Sequence, residues 1–216
     1  MNTATGLRLR HTTTVAPVWD TLIGIYAEVR ADLIHLPHYS VERYSERLGR
    51  HAAEPGWEAV IGYDGEQPVG YAYVNTLQPG DRWWTRMTTV LPDGYTTTPT
   101  VALKEIMLRV PWRGTGAARR IHDDLLAARA EERVTLLVNP KAGEGKVQAL
   151  YETWGYQPYS EQQPSPESPR LVAMIRNRSA SPLPPAKLRG EPGGVGKTEA
   201  SGDDHQDISG CGSPSA

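Results

Sequence analysis

The sequence has 216 residues, a length typical of one globular domain, and carries 23 basic and 25 acidic residues. This near-neutral balance argues against non-specific nucleic-acid binding, whose affinity comes mainly from Lys and Arg displacing counterions from phosphates. The single cysteine, Cys211, lies near the C-terminus. The preceding domain therefore has no intrachain disulfide and no thiolate for catalysis or metal binding.

Residues 179–216 are rich in Ser, Pro and Gly and contain few apolar side chains. This composition predicts a disordered tail that follows a folded domain of residues 1–178. The N-terminus lacks the apolar core of a signal peptide, and no stretch approaches the roughly 18 apolar residues of a membrane span. We therefore expect a cytoplasmic protein that does not bind membranes.

In the first half of the chain, some segments have apolar residues at every second position, as in a strand, and others have them every three to four positions, as in a helix. This pattern predicts a strand, two helices and a hairpin, over residues 6–14, 18–33, 40–50 and 58–74. The second helix begins with a sequence that resembles a capping box at Ser40, and the hairpin turns at an Asp-Gly pair.

In the second half, residues 79–99 mix Thr, Gly and Pro, and they fit an irregular loop or a further strand equally well. The pattern then predicts a strand, a helix, a buried strand, a helix and a last strand, over residues 101–110, 117–130, 134–138, 146–154 and 171–175. The fold class indicated by these elements is mixed α/β.

The junction between the strand that ends near Pro111 and the next helix contains a short glycine-bearing turn, Arg113-Gly114-Thr115-Gly116. Two glycines allow backbone N–H groups to converge on an anion, and the helix N-terminus adds partial positive charge. Arg113 is placed to add a charge-assisted contact. The turn suits a pyrophosphate, although such turns also occur as simple strand-to-helix connections.

At this point the sequence resembles the GNAT acetyltransferase family, whose signature is Arg or Gln, two residues, Gly, one residue, then Gly or Ala. Arg113, Gly116 and Ala118 match it. Downstream, Tyr151 and the pair Gly155-Tyr156 look like the family's Tyr-bearing helix and following Gly-aromatic pair. The resemblance covers residues 6–177 and implies a GNAT-like mixed, mostly antiparallel sheet flanked by helices.

In that family the turn binds the coenzyme A pyrophosphate, and the main chain of the preceding strand pairs with the pantetheine arm. The resemblance therefore implies acetyl-CoA as a co-substrate, and nothing in the sequence indicates a metal. The coenzyme-binding residues that it implies are Ile106, Met107, Leu108, Arg113, Gly114, Thr115, Gly116, Ala117, Ala118 and Asn139.

Acetyl transfer to an amine requires a deprotonated amine, a stabilised oxyanion and a proton donor for the departing thiolate. By resemblance Tyr151 is the acid, with a packing tyrosine as the alternative. Glu105 is the candidate base, because burial in an apolar strand would raise its pKa, although a solvated strand position fits equally well. The N–H of Leu108 is the candidate oxyanion donor.

Two further groups of residues have open interpretations. His122 is a conceivable base, but its helical position predicts a solvated face. Trp83, Trp84 and Tyr95 precede the coenzyme strand, where they either contact the acceptor or fill a core.

The function that the resemblance implies is transfer of the acetyl group of acetyl-CoA to a primary amine of a small molecule or peptide. The amine attacks directly in a ternary complex. The alternative is a non-catalytic acyl-CoA-binding sensor or regulatory module, which needs no acid or base. A homodimer is common in the family and possible here, and the fold by itself does not determine the acceptor.

Overall fold

The computed structural model of the protein describes residues 6–163, 169–178 and 187–188. The strands are β1 (Arg8–Thr12), β2 (Glu58–Asp64), β3 (Gln67–Leu77), β4 (Thr89–Val90), β5 (Thr100–Leu108), β6 (Arg133–Val138), β7 (Gln157–Gln162), β8 (Leu171–Asn177) and β9 (Lys187–Leu188). The helices are α1 (Trp19–Val29), α2 (Val41–Ala53), α3 (Arg82–Thr85), α4 (Ala117–Ala127) and α5 (Lys146–Thr153).

Seven strands form one sheet in the order β1-β2-β3-β5-β6-β8-β7. Within this sheet β5 and β6 pair in parallel, and each of the other neighbouring strands pairs in the antiparallel direction. The short strands β4 and β9 pair with each other outside it. The predicted mixed, mostly antiparallel sheet flanked by helices is confirmed.

Helices cover both faces of the sheet. On one face, α4 and α5 bury apolar side chains such as Ile121, Leu125 and Val147 against β3, β5 and β6. On the other face, α1 and α2 pack Leu22, Ile25 and other side chains against β2 and β3. The segment that contains α3 and β4 covers the remaining part of this second face, over β6 and β8.

The helix boundaries follow local capping. Ser40 caps α2, since its Oγ accepts a hydrogen bond from the Arg43 amide at 3.2 Å. The prediction that the first helix extends to residue 33 is wrong, because α1 ends at Val29. After it, three-residue turns such as Leu33 N–H to Arg30 C=O carry the chain to Pro37.

The sequence pattern did not predict β7. Four of its six residues are polar and a fifth is Pro158. The strand lies at the sheet edge, and its register with β8 is irregular between Pro158 and Ser160. Proline is tolerated on edge strands because one side of the strand needs no hydrogen bonds. The open question over residues 79–99 is settled by a one-turn helix, α3, and a two-residue strand, β4.

The predicted disordered tail lies outside the described residues, apart from Lys187–Leu188, which pair with Thr89–Val90. Across the ranges that the structure describes, no helix combines the length and apolar character needed to cross a bilayer.

An imidazole bridge ties the first strand to the rest of the domain. His11 Nδ1 lies 2.8 Å from Glu58 Oε1, and its Nε2 lies 2.7 Å from Asp124 Oδ2. Both ring nitrogens can donate only when the ring is doubly protonated. Burial opposes this charge, but the hydrogen bonds and charges of Glu58 and Asp124 outweigh it, so the pKa of His11 is raised.

Replacement of His11 by Gln should therefore have an effect that depends on pH. Because the pKa of His11 is raised in the folded state, the bridge stabilises the folded protein fully below about pH 6.5. This contribution is lost as the pH rises through the folded-state pKa. The bridge is partly exposed, so screening keeps its contribution below about 1 kcal/mol.

Urea denaturation of wild type and His11→Gln between pH 5.5 and 8.5 measures this difference. His35→Gln, at an exposed position, is the matched control. A difference between wild type and His11→Gln that grows with rising pH would contradict the bridge.

Candidate active site

The sheet opens between its two parallel strands. Pairing of β5 with β6 begins at Thr100 opposite Arg133 and ends at Leu103 opposite Leu136. Beyond this point β5 continues to Leu108 along β3, and β6 continues to Val138 along β8. Within the described strands, the facing edges of β5 and β6 carry no further pairing, so main-chain groups of β5 face an opening.

A β-bulge in β5 lies where this pairing ends. On β3, Tyr73 and Val74 are neighbours, but their partners on β5 are Glu105 and Leu103, so Lys104 is an extra residue. A bulge bends the strand that carries it and increases its twist. Lys104 and Glu105 consequently both reach groups of the α2 region, Glu54 and Arg47 respectively.

The turn after β5 has the backbone geometry of an anion site. Gly114 and Gly116 have φ angles of 72° and 87°, in the left-handed region that favours glycine. Thr115 Oγ1 donates to the Trp112 carbonyl at 2.7 Å and accepts from the Ala117 amide at 3.3 Å. The other first-turn amides of α4 have no acceptor within the helix, so they are available to an anion.

A cleft of about 360 Å³ opens beside this turn. Five of the residues predicted to bind the coenzyme line it, namely Leu108, Arg113, Gly114, Gly116 and Ala118. Trp112, Leu150 and Trp154 complete its apolar wall, and Arg119 and Lys146 add positive charge.

The other predicted coenzyme residues do not line this cleft. Ile106 and Met107 are buried in β5, and Ala117 is buried at the start of α4. Thr115 holds the turn through its hydroxyl. Asn139 follows β6, where its side-chain oxygen accepts from the Lys141 amide at 3.0 Å.

The cleft is electrostatically suited to an anion. Burial lowers the pKa of Arg113, and the nearby charge of Arg30 lowers it further. Arg113 Nε is buried, and among the described residues no group accepts a hydrogen bond from it. A buried donor beside a second cation suits a phosphate, and the arrangement therefore fits the pyrophosphate of coenzyme A.

Tyr151 does not line the cleft but packs against Trp154, which does. Its ring is fully buried, and its centroid lies 5.4 Å from that of Trp154 and 5.6 Å from that of Tyr156, both in edge-on arrangements. Tyr156 Oη is 2.8 Å from His122 Nε2, and His122 Nδ1 is 2.8 Å from Asp123 Oδ1. Contact with the Asp123 carboxylate favours the proton on Nδ1, so Nε2 accepts from Tyr156.

The prediction of a solvated face for His122 is wrong, because the ring is fully buried. Burial lowers its pKa more than the hydrogen bond of Asp123 raises it. The sequence did contain a signal for this position, since His122 follows Ala118 by four residues and precedes Leu125 by three. That spacing places it on the apolar stripe of α4.

Glu105 is buried as well, so the alternative of a solvated strand position does not hold. Its Oε2 lies 3.8 Å from Arg47 Nη2. Arg47 is itself buried, under the rings of Tyr26 and Tyr44. Burial alone would lower the pKa of Arg47, but the charge of Glu105 and the neighbouring tyrosines raise it.

A second pocket, of about 410 Å³, lies on the opposite face of the sheet from the first. His51, Glu54, Trp83 and Lys104 border it, together with Arg50, Asp81 and Arg82. Of the three aromatic residues with an open interpretation, Trp83 borders this pocket, and Trp84 and Tyr95 belong to the core over β6 and β8.

His51 is a pocket residue that the sequence pattern did not single out. Its ring is buried, with Nδ1 3.1 Å from Tyr73 Oη, and its carbonyl accepts from Asn75 Nδ2 at 2.7 Å. Burial and then the charges of Lys104, Arg47 and Arg50 hold its pKa well below the usual value. The ring is therefore neutral at neutral pH. Its spacing from Tyr44 and Leu48 on α2 is the signal that could have identified it.

No family model and no curated protein matches the sequence. Solved structures do match, among them an acetyltransferase of the GNAT family from Streptococcus agalactiae, with a TM-score of 0.59 and 14% identity over 81% of this chain and 96% of that one. This chain has the GNAT fold.

The NatC complex bound to Gag peptide and CoA matches with a TM-score of 0.52 and 13% identity, covering 80% of this chain and 99% of that one. The aminoglycoside N(6')acetyltransferase from Legionella pneumophila matches with a TM-score of 0.52 and 15% identity, covering 82% and 94%. At these identities the shared property is the GNAT fold.

In the part of the chain that the structure describes, no group of three or more His, Cys, Asp or Glu residues is arranged to hold a metal ion. Two histidines that lie close together in the sequence, His35 and His38, accordingly have no further metal ligands in that part of the chain.

The neutral state of His51 predicts sensitivity to acid. Because its folded-state pKa is lowered, the folded state resists protonation of the ring, and stability is lost as pH falls below about 6.5 toward the folded value. The loss is at most about 1.4 kcal/mol per pH unit for one such group.

We expect His51→Gln to lose less stability than wild type between pH 7.5 and pH 5.5 in urea denaturation. The amide of Gln retains a polar partner for Tyr73. His35→Gln again serves as the control, and an unchanged acid response in His51→Gln would contradict the neutral buried ring.

Proposed function

We propose that the protein is an acetyl-CoA-dependent N-acetyltransferase that acts on a primary amine of a small molecule or peptide. The observation that carries the proposal is the Arg113 turn, which opens onto a cleft beside the unpaired edge of β5. A pyrophosphate requires an anion-binding turn, and a pantetheine arm requires a strand edge whose main-chain groups can form hydrogen bonds with it.

In this proposal the pyrophosphate binds the amides of the turn and Arg113. The pantetheine arm pairs with the main chain of Ile106, Met107 and Leu108, which lies beyond the last β5–β6 pair. Asn139, at the end of β6, lies on the other side of the same opening. The thioester then lies near the β-bulge, where side chains of the second pocket begin.

The amine acceptor enters from the second pocket and attacks the thioester carbonyl carbon. The Leu108 N–H stabilises the oxyanion, and Tyr151 protonates the coenzyme thiolate as the C–S bond breaks. Glu105 is the proposed base for the amine. Its Oε2 lies 3.8 Å from Arg47 Nη2. Neutral His51, at the wall of the second pocket, is a second candidate to accept this proton.

The alternative, an acyl-CoA-binding module without turnover, uses the same turn and cleft. It gives no role to a second pocket on the opposite face of the sheet or to Tyr151 behind the cleft wall. These two features favour the enzyme.

Isothermal titration calorimetry with acetyl-CoA tests the coenzyme site. We expect wild type to bind with a Kd on the order of micromolar, and Gly116→Trp to weaken binding at least about tenfold, since the indole would fill the cleft. The control is Gly65→Trp, in the β2–β3 hairpin, where the φ of 56° imposes comparable backbone strain away from the cleft.

Circular dichroism of each variant separates loss of binding from loss of folding. A folded wild-type protein that does not bind acetyl-CoA would overturn both the enzyme and the acyl-CoA-binding alternative.

Tyr151→Phe tests the acid. The variant keeps the ring that packs on Trp154 and Tyr156, so we expect an unchanged Kd for acetyl-CoA. Loss of the proton donor should lower kcat by about 10² or more. Release of coenzyme A thiol in the presence of a panel of primary amines measures turnover.

Tyr63→Phe, on β2 and outside both pockets, is the matched control. Equal turnover by wild type and Tyr151→Phe would remove Tyr151 from the chemistry.

A further inference from the structure

Lys104 is an amine placed inside the second pocket by the β-bulge. Only 7% of its surface is exposed, and its side chain borders the pocket. The other lysines with described side chains, Lys141 and Lys146, are exposed. Lysine is rarely this buried unless it is paired.

The Lys104 ammonium has two favourable contacts. Its Nζ lies 3.0 Å from Glu54 Oε2 and 5.2 Å from the centroid of the Trp83 ring. A carboxylate and an aromatic face together are a suitable environment for an ammonium. The carboxylate is also a proton acceptor in direct contact with that ammonium.

Lys104 is close to the proposed transfer point, and this step rests on the proposed function. Ile106, the first residue proposed to pair with the pantetheine arm, follows Lys104 by two positions, a distance of roughly 7 Å along a strand. The lysine stem has four flexible carbons. The pocket of about 410 Å³ around it leaves space for the stem to turn and for an added acetyl group.

We propose that Lys104 is a self-acetylation site, at which the protein transfers the acetyl group of bound acetyl-CoA to its own Nζ. The ammonium gives one proton to Glu54, and the free amine attacks the thioester carbonyl carbon. A C–N bond forms and the C–S bond breaks, with Tyr151 supplying the proton that the coenzyme thiol keeps. The second proton of the amine leaves to solvent as the amide forms. Glu54, whose side chain is 40% exposed, releases its proton to solvent, and Tyr151 recovers its proton from solvent.

Acetylation would change the pocket itself. It removes the charge of Lys104, and with it the ion pair with Glu54 and the contact with the Trp83 ring. Glu54 and Trp83 are then available to an ammonium group that arrives from solution. Unmodified Lys104 occupies the position that such an acceptor amine would take, so self-acetylation adapts the pocket to an external amine.

The test uses the full chain and isotope-labelled acetyl-CoA, followed by intact mass and peptide mapping. We expect one labelled acetyl group on Lys104, at a rate that does not change with protein concentration, because the reaction is intramolecular. Lys141 and Lys146 report the slow chemical acetylation of exposed lysines in the same sample. Lys104 should be labelled at least about 100-fold more slowly in Tyr151→Phe, with no change at Lys141.

Lys104→Arg keeps the positive charge beside Glu54 but cannot form the acetyl-lysine, so it should remain unlabelled at this position while binding acetyl-CoA normally. A Lys104 that is already acetylated in purified wild type, but not in Tyr151→Phe from the same cells, gives the same support.

Calorimetry on the same sample separates the two proposals. Normal binding of acetyl-CoA with Lys104 labelled no faster than Lys141 overturns self-acetylation and leaves the proposed function in place. Absence of binding by the folded protein overturns the proposed function and this inference together.

Discussion

The end of hydrogen bonding between β5 and β6 is the constraint on which the rest of the site depends. The two strands stop pairing at Leu103 and Leu136, and the extra residue Lys104 lies in β5 immediately beyond. A continuous ladder would have paired this edge of β5 with β6 as far as Leu108. Because the pairing ends at Leu103, the main-chain groups of Ile106 and Leu108 that point away from β3 have no strand partner in β6, and β5 keeps its shape through antiparallel pairing with β3.

The first cleft and the second pocket differ in their electrostatics. At the turn before α4, Arg113 lies near enough to Arg30, the residue that follows α1, for the Arg30 charge to lower the pKa of Arg113. This local positive charge suits an anion. On the α2 face the buried charges are compensated in pairs, Arg47 with Glu105 and Lys104 with Glu54, and His51 stays neutral. Buried charges cost several kcal/mol each unless they are paired.

Much of the fold follows from the sequence because apolar period and turn chemistry are local properties. The pattern indicates α2, β2, β3, α4 and β6, and the turn at residues 113–118 is placed correctly before α4. The bulge could not be predicted in this way, since β5 is buried over its whole length and shows no alternation that a one-residue slip would break. β7 was missed because a polar edge strand is defined by its partner, β8.

His51 and His122 show a second limit of pattern reading. Each lies at helical spacing from apolar neighbours, so its burial is encoded, but a polar residue in an apolar stripe is easily read as an interruption. Each buried ring is stabilised by a hydrogen bond to a residue that is distant in the sequence. Tyr73 on β3 is the partner of His51, and Tyr156 after α5 is the partner of His122. Hydrogen-bond partners that are distant in sequence become evident only once the strands are paired.

At 13–15% identity to the solved structures, the shared property is the backbone fold. A site made from β5 main-chain groups and helix amides restricts side chains at only a few places. Gly116 is one, because of its φ of 87°. Gly70 is another, since a Cβ there would lie 2.5 Å from the Met107 carbonyl oxygen and push β3 away from β5. The second pocket is built from side chains of α2, α3 and the bulge, so its chemistry can change with few substitutions while the backbone of the Arg113 turn stays the same.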